Sequence, residues 1–134
     1  MDNLSELRLH GVSMDLVKVV RKTVDRLPFT IFVVEGLRSL ERQKELYAQG
    51  RTKPGRIVTK TMNSKHIIGH AVDLAPFENG KIDWSDSKKF DAIALAMFAS
   101  AAELGVNIRW GANWDQDKKV REKGEDDSPH FELV

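Results

Sequence analysis

The chain has 134 residues, of which 41% are hydrophobic and 31% are charged, a composition typical of one soluble globular domain with a single core. It contains no cysteine, which excludes disulfides, thiolate metal sites and a cysteine nucleophile. No apolar run approaches the ~20 residues that span a bilayer. We therefore predict one domain over residues 1–134, monomeric and without stable membrane insertion.

The charge is unevenly distributed along the chain. The net charge is only +1, but residues 1–65 carry 13 basic and 7 acidic side chains. A solvated basic face explains this simply, and attraction to a polyanion, either nucleic acid or an anionic cell wall, is the alternative. No aromatic side chain interleaves with the basic run from Arg51 to Lys65, which argues against a nucleic-acid partner.

The N-terminal residues 1–6 lack the basic region and the apolar stretch of a signal peptide. We therefore expect a cytoplasmic protein that leaves the cytosol only if something else releases it.

Hydrophobic periodicity and turn signals divide the chain into seven elements. Three helices are predicted, over residues 13–27, 39–50 and 88–104. Four strands are predicted, over residues 29–34, 70–74, 106–110 and 130–134. Residues 51–62 and 115–128 are predicted loops. This mixed order indicates an α+β fold, a small single domain with a mainly antiparallel sheet and about three helices.

The longest helix has the clearest boundaries. Its N-cap is predicted at Ser85 or Ser87, its apolar stripe includes Phe98 and Leu104, and Gly105 ends it. The Asn79-Gly80 dipeptide before it predicts a tight hairpin turn.

Residues 64–76 place His66, His70 and Asp73 inside an apolar run. A buried carboxylate is costly unless a positive group pairs with it, and a metal ion shared by His66 and Asp73 would supply that charge. In a straight strand the odd spacing of these two residues would place them on opposite faces. We therefore expect a bend at Gly69, after which Asp73 shares a face with Ala71, away from His70.

A catalytic zinc site needs about three protein ligands and a carboxylate that moves the proton of the attacking water. The chain offers His130 as the third ligand and Asp127, three residues earlier, as the base. Glu125 and Asp126 compete with Asp127 for that role, and the spacing alone barely separates the three.

Two further metal sites stay open on the residues alone. His66 and His70 form a rival pair, because the i, i+4 spacing binds zinc on a helix, although Gly69 argues against a helix here. Asp115 and Asp117 lie in the predicted acidic loop and would suit calcium, but a solvated loop is the simpler interpretation.

The pattern Ser64-x-His66-x-x-Gly69-x-Ala71-x-Asp73 resembles the signature of the VanY-like zinc peptidases, which cut peptidoglycan stem peptides. The segment Asp127-x-x-His130-Phe131-Glu132 is similar to that family's second signature, and Gly36-x-Arg38-Ser39 to its arginine element. Over residues 29–50 and 69–134 the chain also resembles small phage endolysins that are L-alanyl-D-glutamate peptidases.

The resemblance implies a role for each matching residue. His66, Asp73 and His130 would hold one Zn²⁺ ion per chain. Asp127 would act as base and then as acid, Arg38 would bind the substrate and stabilise the developing oxyanion, and Ser64 would help to position the peptide. The fold implied is a small α+β domain that carries the zinc ion on an antiparallel sheet.

The implied activity is hydrolysis of the L-alanyl-D-glutamate bond of the peptidoglycan stem peptide, which lyses the cell wall after a holin-type release from the host cytoplasm. A D-alanyl-D-alanine carboxypeptidase and a non-catalytic wall binder on the same scaffold are the alternatives, and a nucleic-acid binder comes third. No separate wall-binding domain accompanies the motifs, so the basic N-terminal half is a candidate for wall attachment.

Overall fold

The computed structural model describes residues 1–55, 64–112 and 127–134. Within these ranges the elements, in chain order, are α1 (Asn3–Arg8), α2 (Met14–Arg26), β1 (Ile31–Glu35), α3 (Leu40–Ala48), β2 (Ala71–Glu78), β3 (Lys81–Ile82), α4 (Ser87–Leu104), β4 (Ile108–Trp110) and β5 (His130–Leu133). None of the helices in the described ranges has the length and apolarity to cross a bilayer.

The five strands form one sheet in the order β1-β2-β5-β4, and β3 pairs with β2 beyond the end of β5. All of these pairings are antiparallel. The predicted α+β class with a mainly antiparallel sheet is therefore confirmed, with one helix more than expected.

One face of the sheet carries the hydrophobic core. Val72 is paired with Phe131, which is paired with Trp110 on the next strand, and the Trp110 and Phe131 rings are stacked with centroids 6.3 Å apart. Helix α4 packs against β2 and β4, and α2 packs against α4. Residues paired across an antiparallel ladder point to the same face, so each strand contributes its alternate apolar residues to this core.

The opposite face of the same strands is polar. Asp73 in β2 is paired with Glu35 in β1 and with His130 in β5. In the next row, Glu132 in β5 is paired with Arg109 in β4. Because side chains alternate along a strand, the register that places Val72 and Phe131 in the core also places Asp73, His130 and Glu132 together on the other side.

The observed helix boundaries lie within a few residues of the predicted ones, but the predicted N-cap of α4 is wrong. Ser39 caps α3 as its Oγ accepts a hydrogen bond from Arg42 N at 3.0 Å. For α4 the N-cap is Asp86, whose Oδ1 accepts from Lys89 N at 3.1 Å, not Ser85 or Ser87. Asp86 serves because a carboxylate oxygen accepts this bond as well as a serine hydroxyl does.

The apolar stripe of α4 was predicted too wide. Phe98 and Leu104 are each 40% exposed, so they lie at the margin of the core. The end of the helix is as predicted, since Gly105 adopts a left-handed φ of 70°. The hairpin turn is also confirmed, with Asn79 and Gly80 both at positive φ between β2 and β3.

Helix α1 was not predicted, because its six residues are too few to show a periodic pattern. Two specific hydrogen bonds hold its first turn in place. Asp2 caps it by accepting from Ser5 N at 2.9 Å. The buried Ser5 then accepts from Val33 N at 3.0 Å, which attaches the helix to β1.

Strand β2 continues past the predicted end at Leu74 and runs through Pro76 to Glu78. The backbone N–H groups of Leu74 and Phe77 show why the proline is accepted. Phe77 N donates to Thr30 O on the β1 side, whereas Leu74 N donates to Pro129 O on the opposite side. By this alternation the nitrogen of Pro76 points to the side of β2 away from β1, and on that side no ladder hydrogen bond is required of it.

The bend expected at Gly69 is present, as this residue has a φ of +73° at the end of the turn that precedes β2. A Cβ atom at Gly69 would lie 2.3 Å from Gly11 O. The carbonyl of Gly69 also accepts a hydrogen bond from Ser13 N at 2.8 Å. The turn is therefore pressed against the segment between α1 and α2, and only glycine fits.

We predict that Gly69→Ala destabilises the protein by about 3 kcal/mol or more, the sum of a positive-φ penalty and a backbone clash. Gly105→Ala is the matched control, since its φ of +70° is almost the same but nothing lies within 4 Å of its added Cβ. It should lose only about 1–2 kcal/mol. Urea unfolding of both variants measures the difference, and equal losses would show that the contact with Gly11 is no constraint.

Candidate metal centre and active site

Three side chains converge on one point at the polar face of the sheet. His66 Nε2 lies 3.2 Å from Asp73 Oδ1 and 3.2 Å from His130 Nδ1. His130 Nδ1 lies 3.1 Å from Asp73 Oδ1. These residues form the one group in the described ranges whose geometry could hold a metal ion.

The fold delivers these ligand atoms from three places. Asp73 and His130 face each other across the β2–β5 ladder. His66 comes from the turn before β2, and the positive φ of Gly69 lets the chain reverse so that His66 and Asp73 meet despite their odd spacing. The side chain of His66 is buried, whereas Asp73 remains partly accessible.

The outer nitrogen of each histidine is bonded to an acceptor. His66 Nδ1 lies 2.8 Å from the carbonyl oxygen of Gly36, and His130 Nε2 lies 2.9 Å from Glu132 Oε1. A carbonyl or carboxylate oxygen only accepts, so each outer nitrogen carries the proton and donates it. In a neutral imidazole the inner nitrogen is then a bare lone pair.

Three lone pairs at this spacing repel one another unless a cation or a proton lies between them. Burial by itself lowers the pKa of His130, but the hydrogen bonds to Asp73 and Glu132 outweigh it and raise the pKa to about 9. Burial has the opposite effect on a carboxylate and by itself raises the pKa of Asp73, but the hydrogen bonds from His130 and His66 hold this pKa well below its usual range. Without a metal ion, a proton on His130 therefore stabilises the group.

The residues fit a zinc ion. Zinc bonds to histidine nitrogen and carboxylate oxygen are about 2.0–2.2 Å long, so two tetrahedral ligand atoms lie about 3.3–3.5 Å apart. The three edges of the observed triangle are only slightly shorter. The donation of the outer N–H groups to Gly36 O and Glu132 is the arrangement that orients histidine ligands in metal sites.

Arg38 lies beside this group, with Nη2 4.0 Å from Asp73 Oδ2. Its guanidinium is 8% exposed and is held in place. Nε and Nη2 donate to the two carboxylate oxygens of Glu35 at 2.7 and 2.6 Å, and Nη1 donates to Gln43 Oε1 at 2.7 Å. The resemblance implied a role for Arg38 but for neither of the residues that hold it.

Asp127 is on the other side of the group. Its Oδ2 lies 4.0 Å from His130 Nδ1, and its side chain is 50% exposed. Gly111 permits this position, because a Cβ there would lie 2.2 Å from Asp127 O. The competing acids Glu125 and Asp126 fall outside the described residues, as do Asp115 and Asp117 of the predicted calcium site.

Two other candidates have different surroundings. The Oγ of Ser64 accepts a hydrogen bond from His66 N at 3.2 Å, which shapes the turn that carries His66. His70 does not belong to the group of metal-ligating atoms found in the described part of the chain. Residues 65–69 form a turn, so the helix that the rival His66–His70 pair requires is not formed.

Glu132 is the main residue of the site to which sequence analysis gave no role. It is 6% exposed, and its hydrogen bonds from His130 and Arg109 hold its pKa at about 2 against the raising effect of burial. The signal was available, since His130 and Glu132 are two apart on a strand and so share a face. The contacts of Glu35 and Gln43 with Arg38 were harder to predict from the sequence, because they depend on how β1 meets α3.

Comparison with known proteins agrees with this geometry. The family model described as phage L-alanyl-D-glutamate peptidase matches residues 1–134. The chain is 35% identical to the L-alanyl-D-glutamate peptidase of Escherichia phage T5, over 97% of this chain and 94% of that protein. It is 31% identical to the peptidoglycan L-alanyl-D-glutamate endopeptidase CwlK of Bacillus subtilis, over 92% of this chain and 76% of that protein.

A crystal structure extends the likeness to three dimensions. The L-Ala D-Glu endopeptidase ChiX of Serratia marcescens superposes with a TM-score of 0.80 at 34% identity, covering 100% of this chain and 89% of that one. A match along the whole sequence together with this superposition means that the chain belongs to the phage L-alanyl-D-glutamate peptidase family.

Proposed function

We propose that the chain is a zinc-dependent endopeptidase that hydrolyses the L-alanyl-D-glutamate bond of peptidoglycan stem peptides. The observation that carries the proposal is the triangle of His66 Nε2, Asp73 Oδ1 and His130 Nδ1. It occurs in a chain whose family is defined by this peptidase activity.

One Zn²⁺ ion in the triangle would act as a Lewis acid on the scissile carbonyl and lower the pKa of a water molecule. Asp127 takes the proton from the attacking water and later gives it to the leaving amine. Its position suits this role, because its carboxylate lies near His130 but remains accessible to water and substrate.

Arg38 contributes a positive charge next to the reacting carbonyl. A guanidinium has five N–H groups, and three of those on Arg38 donate to Glu35 and Gln43. The remaining ones are directed to a substrate carboxylate and to the developing oxyanion. Ser64 supports the site through the His66 turn, and direct positioning of the peptide by its hydroxyl is a further part of the proposal.

The choice of bond rests on the family and not on Arg38. In the stem peptide D-glutamate continues through its γ-carboxyl, so its α-carboxyl can be free. A D-alanyl-D-alanine substrate presents a carboxylate at the same place, and one arginine pairs with either. All three relatives named above cut the L-alanyl-D-glutamate bond according to their names.

The route to the wall is also part of the proposal. The relative from phage T5 supports a host-lysis enzyme that a holin-type membrane lesion admits to the wall. Cells that produce the chain should lyse when a holin is produced with it and stay intact otherwise.

We expect one zinc ion per chain, lost in His66→Ala, Asp73→Ala and His130→Ala because each removes a ligand atom. His70→Ala is the control and should keep its zinc, as His70 lies outside the triangle. Metal analysis of dialysed, folded protein measures this. Full zinc content in His130→Ala, or its loss from a folded His70→Ala protein, would refute the assignment.

We expect Asp127→Asn to keep the fold and the zinc ion but to lose about 10²–10⁴-fold in hydrolysis, the usual contribution of a general acid–base group. Asp126→Asn changes the neighbouring charge equally and should stay active. Turnover of purified stem peptide, with zinc content measured in parallel, distinguishes the two. An inactive Asp126→Asn beside an active Asp127→Asn would reassign the base.

The reaction itself is tested by mass spectrometry of digested peptidoglycan. New D-glutamate amino groups should appear, with L-alanine left on the lactyl group of muramic acid, and a chelator should abolish both. Release of free D-alanine without new glutamate amines would indicate a D-alanyl-D-alanine carboxypeptidase. Retention on cell walls without any new amine would indicate a binder.

A further inference from the structure

Three basic side chains from three segments meet at the buried carboxylate of Glu132. Its Oε1 accepts from His130 Nε2 at 2.9 Å, and its Oε2 accepts from Arg109 Nη2 of β4 at 2.7 Å. Lys65 Nζ lies 3.3 Å from the same Oε2 and also donates to the carbonyl of Leu133. Each carboxylate oxygen is therefore engaged, which is what a buried charge requires.

Lys65 directly precedes the ligand His66 in the chain. Two hydrogen bonds of this turn reach the β1 side of the molecule, where Arg38 N donates to His66 O and His66 Nδ1 donates to Gly36 O. The Lys65 ammonium instead reaches β5, which carries His130. At the far end of the turn, Leu133 N donates to His70 O. The turn is thus attached to β5 at both of its ends.

We propose that Lys65 and Glu132 form a positioning pair that sets the distance between His66 and His130 before the metal ion binds, with Arg109 fixing the Glu132 carboxylate. The inference rests on the proposed metal centre and goes beyond it by assigning these three residues. None of them touches the ion or the substrate.

The physical basis is the small tolerance of a metal site. Ligand distances must be met within about 0.2 Å, whereas His66 and His130 are 64 residues apart in sequence and belong to separate segments. Glu132 also holds the His130 proton on Nε2, so that the Nδ1 lone pair faces the triangle. Loss of such outer partners typically costs about 10–100-fold in metal affinity.

The test is a double-mutant cycle on the full chain with Lys65→Met, Glu132→Gln and the combined variant. The methionine keeps most of the lysine stem, and the glutamine keeps the shape of the glutamate. Zinc affinity is measured by competition with a chelator, and the dissociation rate by transfer of zinc to excess chelator. Lys18→Met and Glu41→Gln are the controls, because they change the charge equally at exposed positions.

Each single variant should bind zinc about 10–100-fold more weakly, and the combined loss should be smaller than the product of the two single losses because the residues act together. Lys65→Arg keeps the cation and should restore affinity to within a few-fold of the original. The controls should stay within about twofold, since surface charges contribute little.

Unchanged zinc affinity in Lys65→Met would overturn the proposal, as would single losses that multiply in the combined variant. Thermal unfolding with excess chelator separates a folding defect from a binding defect. A fall in melting temperature with zinc affinity unchanged would also overturn it, because that is what a purely structural role predicts. If the original protein bound no zinc at all, the proposed metal centre itself would fail.

Discussion

The structure depends on an electrostatic conflict at the centre of its polar sheet face. Asp73 contributes a charged oxygen, and His66 and His130 each direct an unprotonated nitrogen to the same point, since Gly36 O and Glu132 hold their protons on the outside. A proton can resolve the conflict, which is why His130 has a raised pKa. A divalent cation resolves it more completely, because it meets all three donors at once.

The arrangement is stable because the site and the core share their strands. Along β2 and β5 every second residue faces the core and the others face the site. Phe131, which packs in the core, therefore stands in the chain between His130 and Glu132, which face the site. The rigidity of a packed core is passed directly to the ligands. His66 is the exception, as it comes from a turn and relies on glycine contacts and on Lys65 for its place.

Local patterns in the sequence were sufficient for much of the fold. The periodicity of α4, the left-handed Gly105 and the alternation of β5 predicted these elements, because each depends on neighbours only a few residues away. Helix α1 could not be found in this way, since Ser5 is tied to Val33 across 28 residues. The prediction also ended β2 at Leu74, and the continuation of the strand through Pro76 depends on which side of β2 has a partner.

The candidate site divides in the same manner. Spacing and residue type suggested His66, Asp73 and His130 as ligands, whereas the resemblance to VanY-like peptidases added Arg38 and singled out Asp127 among its acidic neighbours. The residues that hold them are near neighbours in sequence, since Glu35 and Gln43 lie three and five residues from Arg38 and Glu132 lies two residues from His130. The strand order that places Asp73 opposite His130 is, by contrast, specified by no local pattern.

The two separate ladders on one side of β2 have a consequence for engineering. Ala71 to Asp73 pair with β5, Phe77 and Glu78 pair with β3, and Pro76 lies in the gap between them. Asn79 is six residues from Asp73, about 20 Å along an extended strand. A wall-binding module grafted into the Asn79-Gly80 turn would therefore affect only the β2–β3 ladder, and the metal ligands in the β2–β5 ladder would keep their register.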